Sequence, residues 1–97
     1  MITLALLLFA LANPHSATLQ WQGPTLDLSG NPITYQIYHH WGSACYVAGT
    51  KFQLKATVNG VTAWTDTTNL TSGTTHCYYV VNPVLPPPSN TVTVIIP

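Results

Sequence analysis

Apolar and polar residues alternate with a period of two along most of this chain, the pattern of strands whose side chains point to opposite faces. In residues 17–21 (ATLQW), Ala17, Leu19 and Trp21 share one face, and Gly23-Pro24 ends the run. Residues 33–41 place Tyr35, Ile37 and His39 on one face and Gln36, Tyr38 and His40 on the other. Residues 51–58 (KFQLKATV) predict Phe52, Leu54, Ala56 and Val58 inward and Lys51, Gln53, Lys55 and Thr57 outward, the lysines guarding an edge. Asn59-Gly60 is the chain's strongest turn signal and predicts a tight two-residue hairpin into a strand at 61–66, because a type I′ turn needs positive φ at both positions. In residues 76–82, His76, Tyr78 and Val80 lie opposite Cys77, Tyr79 and Val81. That strand is apolar on both faces, which predicts a central position. The Pro86-Pro87-Pro88 run cannot donate ladder bonds and predicts a stiff loop before a last β-branched strand at 91–96.

The first twelve residues, MITLALLLFALA, admit two readings. They are too short for a membrane-spanning helix, which needs about 20 residues. They resemble the apolar part of a signal peptide, with Ala10-Leu11-Ala12 as the cleavage motif and a mature domain at 13–97. The alternative is a first strand at 2–11, turned by Asn13-Pro14-His15-Ser16. Cleavage after Ala12 would leave Ala17, Thr18, Leu19, Gln20 and Trp21 as an open sheet edge with neither charge nor proline to blunt it, an invitation to strand addition. Retention of the segment would fill the same slot from within.

The ordered set Trp21, Tyr35, Ile37, Leu70, Gly73, Tyr78 and Val80, spread over residues 17–97, resembles the fibronectin type III family. The resemblance implies an all-β, immunoglobulin-type sandwich of about six or seven antiparallel strands, with Trp21 in the core. It places His76 at the corner where the family carries a tyrosine. After residues 51–58 it implies a crossing between sheets, in conflict with the hairpin that Asn59-Gly60 predicts. It also sets the strand containing Cys77 beside the strand that ends just before Cys45, which implies a Cys45–Cys77 disulfide in an exported protein. The other reading of these cysteines is two free thiols packed as small apolar groups.

Charge narrows the function classes. Asp27, Lys51, Lys55 and Asp66 are the only charged residues, with no arginine and no glutamate. Phosphate contacts need several cations together, so a nucleic-acid surface is excluded. The formal net charge of +0 removes the repulsion that opposes self-contact. A hydrophobic share of 46% argues for a folded core over disorder.

Candidate chemistry is sparse. His39 and His40 point to opposite faces, so at most two of His39, His40 and His76 can converge, fewer than a metal site needs. Two aspartates supply neither a serine–histidine–acid set nor the paired carboxylates of glycoside hydrolysis, and no cofactor motif is present. Tyr38, Trp41, Tyr46 and Tyr79 are expected to form an outer aromatic strip suited to protein or sugar. Asn69-Leu70-Thr71 is an N-glycosylation sequon. The expectation is a non-catalytic, secreted or surface-associated structural or adhesive module that contacts other proteins or copies of itself, as in a surface structure, filament or virion. The alternative is a carbohydrate-binding module.

Overall fold

Among the described residues seven strands form: β1 (Leu7–Asn13), β2 (Ser16–Gln22), β3 (Thr34–Trp41), β4 (Gln53–Asn59), β5 (Ala63–Asp66), β6 (Thr75–Val81) and β7 (Val92–Ile95). They are drawn from a computed structural model that describes residues 6–68, 70–85 and 87–97. All pairings between the strands are antiparallel. A three-stranded sheet, β1-β2-β5, faces a four-stranded sheet, β4-β3-β6-β7. The fold is an all-β sandwich.

The core lies between the sheets, where each strand contributes every second side chain. Leu8, Ala17, Leu19 and Trp21 come from the smaller sheet, and Tyr35, Ile37, Tyr78, Val80 and Val94 from the larger. Trp21 meets Tyr35 edge to face, with ring centroids 5.5 Å apart. Its indole Nε1 is buried and has no hydrogen-bond partner among the described residues. Tyr35 donates its hydroxyl proton to the Pro24 carbonyl at 2.6 Å, which pins the loop after β2 across the end of the core. Gly23 makes that approach feasible: a Cβ there would lie 2.6 Å from the Tyr35 hydroxyl and 2.8 Å from the Leu6 side chain.

Two expectations about the middle of the chain need correction. Asn59-Gly60 does not close a hairpin. β4 pairs with β3, whereas β5 pairs with β2, so the chain crosses between sheets at this point. Gly60 does take positive φ (69°), but its N–H donates to the Ile33 carbonyl at 2.9 Å. Trp21 N–H then donates to the Thr62 carbonyl at 3.0 Å, seating the crossing beside β2. Long-range backbone bonds outcompete the local turn.

The inward set on β4 is also different. Ile37 pairs with Ala56 but Tyr38 pairs with Leu54, so Lys55 is the extra residue of a β-bulge. A bulge resets the alternation. Ala56 and Val58 remain against the core, while Leu54 is exposed and Phe52 packs with His40 and Tyr79, whose side chains project from the outer face. Lys55, expected outward, instead brings Nζ within 4.0 Å of the Asp66 carboxylate.

At the front of the chain, residues 7–13 are the first strand. β1 pairs with β2 from Leu7↔Gln22 to Asn13↔Ser16, and Asn90 clamps its other side. The Asn90 side chain accepts from Leu8 N–H at 2.8 Å and donates to the Leu8 carbonyl at 3.1 Å. With residues 7–13 in place, residues 17–21 sit inside a sheet between β1 and β5, the arrangement expected when the front segment is retained.

Candidate functional site

The outer face of the smaller sheet carries an uncovered apolar row. Leu7, Phe9 and Leu11 alternate outward on β1 and are 46%, 52% and 64% exposed. Their partners across the ladder are Gln22, Gln20 and Thr18. None of the four charged residues lies on this face: Asp27 is in the loop after β2, the lysines are in or next to β4, and Asp66 is buried. Three large apolar side chains in line, with no charge among them, form a surface suited to association. Residues 6–12 are apolar at every position, so the sequence does not mark this outward row and fits a buried strand or a signal segment as well.

On the outer face of the larger sheet, Tyr38 and Tyr79 stack with centroids 5.0 Å apart and planes within 7°. Phe52 meets Tyr79 edge-on at 5.0 Å. The two tyrosines thus turn ring faces toward each other, and burial raises the Tyr79 hydroxyl pKa. Tyr46 lies over β7, where its hydroxyl donates to the Thr91 carbonyl at 3.3 Å. Trp41 is not part of that strip. It stands opposite His76 in the ladder, with ring centroids 5.2 Å apart. Of the four aromatics expected together, the structure joins Tyr38 to Tyr79 and leaves Trp41 and Tyr46 as separate exposed groups.

Cys45 and Cys77 form a disulfide, with Cα atoms 6.0 Å apart. It ties the loop after β3 to the start of β6. Asn69, the sequon residue, lies outside the described residues.

A buried polar cluster joins the sheets at one end of the sandwich. Asp66, on β5, is fully buried. Its carboxylate accepts from the Tyr78 hydroxyl at 2.6 Å, the Thr68 hydroxyl at 2.6 Å and the Thr68 N–H at 3.1 Å. Burial opposes ionisation of Asp66, but these donors outweigh it and hold the pKa below the ordinary carboxylate value. Burial, together with donation to the carboxylate, drives the Tyr78 pKa far upward.

Beside this pair, His39 Nε2 lies 2.9 Å from His76 Nδ1, and His76 Nε2 lies 2.7 Å from the Thr74 hydroxyl. Thr74 gives its own proton to the Thr71 carbonyl, so it must accept from His76. His76 therefore carries its proton on Nε2 and accepts from His39 Nε2–H. One proton pattern satisfies the whole chain, with both rings neutral. Burial is the main cause holding His39 down to about 4, with Lys55 adding to it, and burial likewise lowers His76. His40 points the other way, toward the Lys51 carbonyl at 3.2 Å.

The histidine reading holds in its geometry: two of the three rings meet, and the third faces away. Among the described residues, no group of three or more histidine, cysteine or acidic side chains could hold a metal ion. The Asp66–Tyr78 tie escaped sequence reasoning. Its one signal was an aspartate two residues after Trp64, and so on the same strand face. The described protons in the cluster have partners within the protein, and the Asp66–Tyr78 bond fixes β5 to β6.

Among the described residues, no helix is long and apolar enough to cross a membrane. A scan against protein-family models finds no match for this chain, and a search of curated proteins finds none either.

Proposed function

We propose that this chain is a non-catalytic, exported module that works by protein–protein contact, including contact with copies of itself. The observation that carries the reading is the uncharged row of Leu7, Phe9 and Leu11 on the outer face of the smaller sheet. A net charge of +0 leaves little repulsion to keep such faces apart. The disulfide fits an oxidising compartment. The three-plus-four strand order supports the fibronectin type III resemblance, and such sandwiches serve many roles, so the surface rather than the fold carries the argument.

The test is light scattering of the purified chain over a wide concentration range, beside Phe9→Lys. Phe9 is half-exposed, so lysine there leaves the core intact while adding charge to the row. The native chain is expected to gain mass with concentration, and Phe9→Lys to gain markedly less at an unchanged melting temperature. A native chain that remains monomeric throughout, and binds no protein, overturns the proposal.

A carbohydrate-binding reading draws support from Trp41, which is 63% exposed. Glycan-array binding that is lost in Trp41→Ala would favour it.

A further inference from the structure

We infer that the groove now filled by β1 is a strand-acceptor site, and that its partner in the assembled protein is β1 of a second copy of this chain. The inference rests on the self-association proposed above and adds a second contact to it, since an exchanged β1 leaves Leu7, Phe9 and Leu11 on the outer face.

β1 is a separable unit of the fold. It borders its sheet, and among the described residues its ladder runs to β2 alone. Its inward side chains, Leu6 just before the strand and Leu8 within it, are buried, and Ala10 and Ala12 pack behind them. On the far side the Asn90 side chain reads both backbone groups of Leu8. Together these make a slot with a backbone ladder on one wall, an amide clamp on the other and an apolar floor. The slot recognises an extended segment with leucine at its inward positions. It does not distinguish whether that segment arrives from the same chain or from a neighbour.

The link between β1 and β2 favours the neighbour. Asn13 pairs with Ser16, so the turn has just two central residues, Pro14 and His15. His15 sits at φ 59°, in the left-handed region that non-glycine residues seldom adopt, and its ring Nδ1–H donates to the Leu70 carbonyl at 3.0 Å, a bond that must break when the hinge opens. Positive φ at the second central position alone is the type II pattern, whose twist suits a hairpin poorly compared with the primed turns. A short strained hinge favours exchange. In the exchanged dimer the hinge extends, His15 returns to an ordinary backbone region, and each slot receives the same ladder, clamp and leucines from the other copy. The strain is relieved twice per dimer.

Trapping the pairing tests this directly. Leu11 and Thr18 are opposite in the ladder and point outward. Oxidation of the full chain carrying Leu11→Cys and Thr18→Cys reports whose β1 lies beside each β2. Exchange yields a dimer held by two new disulfides, its share rising with protein concentration at refolding. A second variant inserts Gly-Gly between Pro14 and His15 to relax the hinge. It should weaken dimerisation by about twenty-five-fold, roughly fivefold for each hinge relieved. If oxidation gives only internally bonded monomer while the native chain still gains mass with concentration, exchange is wrong and the outer-face contact stands. If the native chain gains no mass at all, both fall.

Discussion

Replacing Tyr78 with phenylalanine removes one oxygen from the tie between the sheets and nothing else. That hydroxyl donates to the buried Asp66 carboxylate at 2.6 Å, from a ring with no exposure. Hydrogen bonds to a charged group contribute about 1.5–3 kcal/mol, and the upper half of that range applies because water cannot reach the orphaned oxygen. The remaining group near that oxygen, Lys55 Nζ at 4.0 Å, is too distant for a strong replacement bond. For a domain of this size about 1 kcal/mol shifts the melting temperature by about 4–8 °C, so a fall of about 10 °C or more is expected. Urea denaturation at neutral pH should show a lower midpoint with an unchanged slope. The effect also has a pH signature. The folded Asp66 pKa lies below its unfolded value, so its contribution is present above the unfolded pKa and is lost as pH falls through the folded one. Losing the Tyr78 donor raises the folded pKa and shrinks that contribution. In Asp66→Asn the charged acceptor is already gone, so adding Tyr78→Phe should cost clearly less than it does in the native background. A single-variant loss below about 0.5 kcal/mol, or full additivity in the cycle, would refute the reasoning.

Further outcomes follow from the same geometry. His39 is held at about 4 in the folded chain, below its ordinary 6.5, so the unfolded chain takes up more protons. Stability should therefore fall as pH drops from about 6.5 toward 4; the part-exposed ring limits the loss to about 1–2 kcal/mol, which acid titration of the denaturation midpoint will measure. His39→Gln should flatten that limb of the profile. Converting both Cys45 and Cys77 to serine opens a loop of 32-residue separation and should cost about 3–4 kcal/mol on the chain-entropy account, read by calorimetry against the native chain. Gly23→Ala drives a methyl group against the Tyr35 hydroxyl and should break its bond to Pro24, with a loss of about 1–3 kcal/mol in urea denaturation.

What the sequence made legible follows from physics that acts locally. Period-two alternation marked β2, β3 and β6 to within a residue or two, because a strand writes its two faces into neighbouring positions, and β-branched composition marked β7. Trp21, Tyr35, Ile37, Tyr78 and Val80 were recognisable as core for the same reason. The Cys45–Cys77 pairing was available only through the resemblance, which set their strands side by side. The misreadings came from choices made between distant residues. Gly60 has the backbone of a turn, yet Ile33 and Trp21 decide that the chain crosses to the other sheet there. Lys55 sits on a bulge that depends on pairing with β3, and nothing within residues 51–58 announces it. Asp66 reads as an ordinary polar residue until Tyr78 and Thr68 are brought to it. The apolar row on β1 was hidden by a segment that is apolar at nearly every position, which leaves its outward side unmarked.

The claim that this outer row is a contact surface is tested most directly by residue-resolved NMR with a soluble paramagnetic agent, at high and low concentrations of the native chain. Leu54, exposed on the outer face of the opposite sheet, serves as the reference. Signals of Leu7, Phe9 and Leu11 are predicted to be shielded at high concentration and to become accessible on dilution, while Leu54 remains accessible at both. Full accessibility of all three at every concentration, with no protein partner that shields them, would contradict the account.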